Sequence, residues 1–285
     1  MSQPSNVEAV DIFTLSQARR VAAMLDIDPA RFALGDPIPR GWHFAMLAGE
    51  TPRHSLRSDG FPGLGVAMPQ LDRPRLLLGQ RNTEFRGDLW VGAEIRRHSA
   101  IASIVDKIGR AGPLSIVKVA HNLSADYGAE GARGSVHETQ TYFLAGLPPK
   151  DGAVSDATPK SLNTPAVLYG ITQVVTPDDL LLFQYSALGF NTHSIHFDRD
   201  YARNVEGHPD LVVNGGLATL LATEFLRTDL GKTLKSLSAR HLAPLYVNRP
   251  MTIFVPELTE RDAGVTLIDC DGTIAAELTV SFDDL

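Results

Sequence analysis

Gly215-Gly216-Leu217-Ala218-Thr219-Leu220-Leu221-Ala222-Thr223-Glu224-Phe225-Leu226 decides the architecture. Leu217, Leu220, Leu221 and Glu224 share one helical face, and Ala218, Ala222 and Phe225 share another. Apolar side chains therefore lie nearly all round, as in a helix enclosed by other structure. About 13 residues at 1.5 Å each span roughly 20 Å. That is the width of four or five strands spaced about 4.8 Å apart. Downstream, residues 265–268 and 273–282 alternate apolar and polar positions, the period of strands with one buried face.

The first half repeats this plan. Phe85-Arg86-Gly87-Asp88-Leu89-Trp90-Val91 aligns with His241-Leu242-Ala243-Pro244-Leu245-Tyr246-Val247 at an offset of 156 positions, and the register continues as far as Ile95 in the first copy and Met251 in the second. Residues 116–121 and 136–143 then alternate like the strands of the second half. A helical candidate at 41–48 (Trp42, Phe44, Ala45, Met46, Leu47) precedes them. A register kept through several elements marks internal duplication. The expected fold class is α+β: a double hot-dog, each repeat an antiparallel sheet wrapped around a central helix. The expected boundaries are 1–146 for the first repeat, 147–165 for a Pro/Gly/Ser-rich linker, and 166–285 for the second repeat, which carries the candidate site described below. Residues 16–25 have helical spacing and should pack outside. Residues 49–74 form a long unperiodic loop, usually a functional feature.

Bulk properties narrow the classes. With 44% hydrophobic and 21% charged residues the chain reads as an ordinary globular protein. A formal charge of −7 argues against a nucleic-acid surface. The single cysteine, Cys270, cannot form an internal disulfide and reads as a strand residue before an Asp-Gly turn. No stretch approaches the roughly 18–20 apolar residues that span a bilayer, and no secretory leader is apparent. A cytoplasmic protein is expected, with no nucleic-acid or membrane partner and a homodimer as one possible assembly.

The chemistry concentrates in Phe183-Gln184-Tyr185-Ser186-Ala187-Leu188-Gly189-Phe190-Asn191-Thr192-His193-Ser194-Ile195-His196-Phe197-Asp198. It reads as a short strand running into a polar loop, with a charged helix start at Asp198. The loop leads to Gly215-Gly216, so two imidazoles are expected near the amino end of the buried helix. Free N–H groups there carry partial positive charge, and the glycines leave them open. A thioester oxygen held there would be stabilised as the enolate forms. Histidine suits the proton transfers. On spacing alone other readings stay open: His193 as a loop residue, His196 as a core residue bonded to a carbonyl, the glycines as a tight turn. A metal set of His193, His196 and Asp198 lacks any supporting Cys cluster or His-Glu-x-x-His pattern. No metal or separate cofactor is expected.

These residues resemble a family. MaoC-like (R)-specific enoyl-CoA hydratases carry Ser-Gly-Asp-x-Asn-Pro-(Leu/Ile)-His-x-Asp, a helix, and a short segment ending in His-Gly before the hot-dog helix. Here His196 falls on the motif histidine, Asp198 on the following acid and Gly215 on the glycine of the oxyanion hole. Asn191 replaces the motif's catalytic Asp, His193 its Asn and Ser194 its Pro. The variant is similar to the FAS1-like dehydratase subgroup, which includes mesaconyl-CoA and itaconyl-CoA hydratases. The resemblance implies a hydro-lyase acting on an acyl-CoA thioester. His196 and His193 would carry the protons, Asn191 would orient the water or His193, and Gly215 or Gly216 would hold the thioester oxygen.

A C5 dicarboxylic acyl group calls for a cation, and arginine binds carboxylates bidentately. Arg81, Arg86, Arg199 and Arg240, with Tyr185, are the candidates for substrate or coenzyme A. Two alternatives remain. A hot-dog thioesterase would place an acid on the central helix, where only Glu224 lies well inside. A non-catalytic acyl-CoA-binding protein would leave the histidines structural.

Overall fold

The computed structural model describes residues 6–69, 71–109, 112–127, 132–147 and 169–283. The first half supplies β1 (Asn6–Ile12), α1 (Leu15–Met24), β2 (Arg75–Arg86), β3 (Glu94–Gly109), β4 (Gly112–Tyr127) and β5 (Ala132–Ala145). The second supplies β6 (Ile171–Val175), α2 (Asp179–Leu188), α3 (Arg199–Asn204), α4 (Gly215–Thr228), β7 (Leu234–His241), β8 (Met251–Val255), β9 (Asp262–Ile268) and β10 (Ile274–Phe282). These strands form one antiparallel sheet in the order β1-β3-β4-β5-β2-β7-β10-β9-β8-β6. The order is a palindrome about β2 and β7, with each first-half strand mirrored by the strand numbered five higher. This is the double hot-dog.

The duplication is visible in individual hydrogen bonds. Ile38 N donates to Leu89 O, and Val213 N to Leu245 O. Val91 N donates to Asp36 O, and Val247 N to Leu211 O. Isolated bridges join Pro37 to Trp90 and Val212 to Tyr246. Leu89, Trp90 and Val91 align with Leu245, Tyr246 and Val247 in the offset read from the sequence. The segment before each buried helical element is therefore tied down by equivalent residues.

The helical elements themselves differ between the repeats. The second repeat has the 14-residue α4, with Leu217, Ala222 and Leu226 fully enclosed. The first has only the 3-10 turn Trp42–Met46, so the helix expected at 41–48 does not form at full length. Gly41 sits at φ 111°, and Gly49, Thr51 and Pro52 end the apolar run before it can cross the sheet. Phe61, Val66 and Met68 from the long loop occupy the interior instead, packed on Leu76, Val117 and Val119. Trp42 still reaches across the repeats: its Nε1 donates to Glu224 Oε1 at 3.0 Å.

Other expectations fare unevenly. α1 forms on schedule, opened by a capping box between Thr14 and Gln17. The strand expected at Phe183 to Tyr185 is instead part of α2. Asp178 Oδ1 accepts from Leu181 N at 2.8 Å and starts a helix that buries Leu182 and Tyr185 while exposing Leu180 and Phe183. Cys270 lies exposed in the turn after β9, not in the strand. Beyond Leu147, the linker expected at 147–165 lies outside the described residues. Among the described residues no helix is long and apolar enough to cross a membrane.

Candidate active site

The histidine turn is built by local capping and then fastened from two sides. α2 ends at Gly189, and Phe190 turns the chain with φ 48°. Asn191 Oδ1 accepts from His193 N at 3.1 Å. A 3-10 turn over Ser194–His196 comes next, and Asp198 caps α3 by accepting from Tyr201 N at 2.9 Å. The turn is tied to the segment that enters α4. His196 Nδ1 donates to Val212 O at 2.7 Å, and Val212 N donates to Ile195 O at 2.9 Å. Val212 stands two residues before the helix cap, Asn214. The long loop fastens the other side: Thr192 Oγ1 donates to Gly60 O at 2.7 Å, and Ser194 N to Asp59 O at 2.8 Å. Gly60 is required there, because its φ is +79° and a Cβ would lie 2.5 Å from Thr192 O.

His193 and His196 are both buried, with ring centroids 5.3 Å apart and planes at 88°. The Val212 carbonyl takes the Nδ1 proton of His196 in a hydrogen bond, which leaves its Nε2 as the acceptor. Burial, and secondarily the neighbouring His193, push the His196 imidazole down to about 3, against the pull of Val212 O and Glu206. It is a neutral base at working pH.

Both rings line a cavity of about 520 Å³ that Asn191, Tyr185, Gly215 and Gly216 also line. Asn214 gives α4 no side-chain cap, so the amides of the first turn are open. A Cβ on Gly216 would lie 2.2 Å from Tyr185 Oη and 3.6 Å from Arg81 Nη1. A Cβ on Gly215 would lie 3.1 Å from the His241 ring. Glycine is what lets a phenol, a guanidinium and an imidazole gather round this helix end.

The arginine candidates separate by strand parity. Arg81 faces inward with Thr83 and Phe85, lines the cavity, and is bound by Glu138 through Nε (3.1 Å) and Nη2 (2.8 Å). Burial works against the Arg81 charge, but Glu138 more than offsets it and raises its pKa. Arg86 lies beyond this inward set and pairs with Glu84 at the surface. Arg199 pairs with Asp179 and Asp210, and Arg240 lies 3.6 Å from Glu277. The structure does not bring these three into the cavity. Glu224 does not line it either, being held by Trp42 and Arg227.

Sequence reading missed several buried polar groups here. Asp59 and Glu206 lie 3.8 and 3.7 Å from His193 Nε2, and His208, Arg75 and His241 line the cavity. Only Asp59 had a signal, its place in the long unperiodic loop. Asp198 is occupied as a helix cap. Among the described residues no three His, Cys, Asp or Glu side chains are grouped to hold a metal ion.

Buried neutral histidines carry a stability consequence. Burial takes His196 to about 3 and His121 and His241 to about 4, Glu138 opposing it at His121 and Arg81 adding to it at His241. The unfolded chain binds these protons near pH 6.5, so their contribution is complete above that pH and is lost as pH falls toward 4. At pH 5 each costs about 2 kcal/mol. The urea midpoint should therefore drop clearly between pH 7 and pH 5; an unchanged midpoint would refute this.

Known proteins are similar to this chain in sequence and in fold. Residues 41–247 match the family described as hydroxyacyl-thioester dehydratase type 2. The chain is 35% identical over 243 residues to mesaconyl-C(4)-CoA hydratase of Chloroflexus aurantiacus, covering 85% of this chain and 83% of that protein. It superposes on the MaoC-like dehydratase of Phytophthora capsici with a TM-score of 0.69 at 14% identity, covering 99% and 96% of the two chains. A Mycobacterium tuberculosis protein described as having a double hot-dog fold gives 0.58 at 11% identity, covering 99% and 96%. By family match and by identity to a relative over most of both chains, this chain belongs to the hydroxyacyl-thioester dehydratase type 2 family and is a hydratase/dehydratase.

Proposed function

We propose that the protein adds water reversibly to a short enoyl-CoA of the C5 dicarboxylic class, such as mesaconyl-CoA or itaconyl-CoA. One observation carries the reading: two buried imidazoles share a cavity with the uncapped, glycine-lined amino end of α4. His196 Nε2 takes the proton of the attacking water, and His193 is its partner in proton transfer. Asn191 orients His193 through its backbone amide. The amide of Gly215 or Gly216 receives the thioester oxygen as charge develops on it. Support for the acyl class comes from the name of the relative at 35% identity and from the Nη1 of Arg81, which lies beside the same helix turn.

A panel of mesaconyl-, itaconyl- and crotonyl-CoA, followed by enoyl absorbance and by free thiol, tests this. Loss of absorbance without thiol release is expected, faster for the dicarboxylic substrates than for crotonyl-CoA. Stoichiometric thiol release would identify a thioesterase. Preference for crotonyl-CoA would remove the dicarboxylic assignment.

A further inference from the structure

Glu206 is a buried carboxylate to which the hydration chemistry assigned to the histidines gives no task. It stands just after α3, is 1% exposed, and neither of its oxygens has a hydrogen-bond partner. His193 Nε2 lies 3.7 Å from Oε1, while His208 Nε2 and Arg75 Nε lie 3.6 and 3.5 Å from Oε2. These three nitrogens are likewise buried without a hydrogen-bond partner. Asp59 Oδ2 lies 3.8 Å from the same His193 nitrogen. Its oxygens are already taken by the Arg57 guanidinium and the Phe61 amide. Asp59 is thus neutralised by its own arginine, whereas Glu206 depends on what His193, His208 and Arg75 carry.

A carboxylate withdrawn from water is costly unless positive charge or donors compensate it. Burial favours the protonated form of Glu206, but His193 and His208 bring it down to about 2, so it stays charged. The two catalytic rings stand in opposite surroundings. His196 is held by a backbone carbonyl, while the Nε2 of His193 has two carboxylates within 4 Å, one paired with Arg57 and the other near Arg75 and His208.

We propose that Glu206 is a positioning residue that keeps His193 protonated as the acid of the reaction while His196 serves as the base. The inference rests on the hydratase reading. In the hydration direction an O–H bond of water breaks and its proton passes to His196 Nε2 as the oxygen bonds to the β-carbon. The electron pair of the double bond moves onto the thioester oxygen. It returns to form the α-carbon C–H bond with the proton from His193 Nε2. The proton left on His196 then restores the one His193 gave, so that only H and OH are added.

The test compares Glu206→Gln with the wild-type full chain in enoyl-CoA hydration across pH. We expect kcat to fall about tenfold or more with KM little changed. The alkaline limb of kcat should move to lower pH by about one unit or more, because a charge within 4 Å of the acid is lost. Glu206→Asp should restore the limb. A purely structural role would leave the limb in place. If Glu206→Gln does not fold, ring-nitrogen shifts of 15N-histidine in the wild-type protein decide. His193 holding its second proton to higher pH than His196 is expected, and the reverse order overturns the proposal. Unchanged kcat and limb in Glu206→Gln, with His193→Ala inactive, overturns the proposal and leaves the hydratase reading intact. Near wild-type turnover in both His193→Ala and His196→Ala sinks that reading and this proposal with it.

Discussion

His196→Ala is expected to lower kcat for enoyl-CoA hydration by about 100- to 10,000-fold, the usual share of general acid–base help. The expectation rests on how the ring is held. Its Nδ1 proton is committed to Val212 O at 2.7 Å, so the tautomer is set and Nε2 keeps its lone pair. Burial keeps the ring neutral at any working pH. The same burial makes it a weak base. The enolate forming at the amino end of α4 offsets that penalty, because it places negative charge in the same cavity as the new imidazolium. The variant loses one hydrogen bond to a carbonyl and should still fold. A folded His196→Ala protein with wild-type kcat would show that the water is activated elsewhere.

Glu138→Ala should destabilise the fold by about 3–5 kcal/mol, the range for removing one partner of a buried ion pair. Glu138 is 2% exposed and receives two hydrogen bonds from Arg81, one from His43 Nε2 at 2.8 Å, one from Thr83 Oγ1 at 3.0 Å and one from Gln140. Burial alone would raise its pKa. Arg81 and His43 overcome this and hold the carboxyl well below its ordinary range. Without it, the Arg81 guanidinium is left uncompensated inside the sheet, beside the amino end of α4. Urea unfolding at neutral pH measures the loss, and a change under about 1 kcal/mol would contradict the assignment of this pair as a major internal contact. Activity should fall as well, because Arg81 lines the cavity.

The two expectations differ in how far the sequence announces them. His196 stands in a motif-like run, close in sequence to the segment that binds it. Glu138 sits in an ordinary alternating strand, and its partners come from residues 43, 81, 83 and 140. No local pattern marks it. The arginines show an intermediate case. Strand parity separates inward Arg81 from outward Arg86, and that parity is legible in the alternation of β2. Applied to the sequence alone, the same alternation is enough to remove Arg86 from the candidates.

Short-range periodicity was enough to establish α4, the alternating strands, the duplicated turn before β3 and β8, and the closeness of the histidine turn to the glycines. The helix and strands depend on side chains a few positions apart, the duplicated turn on a constant offset of 156 positions, and the closeness to the glycines on the short run of chain between them. The tertiary structure alone decided that the first repeat replaces its helix with a 3-10 turn and a folded-in loop, that residues 179–188 form a helix, and that Asp59 and Glu206 flank His193. Those outcomes depend on which distant segments the closing sheet presses together. Burial then sets the energy of every charge it encloses, and burial is a property of the assembled sheet that no window of sequence contains.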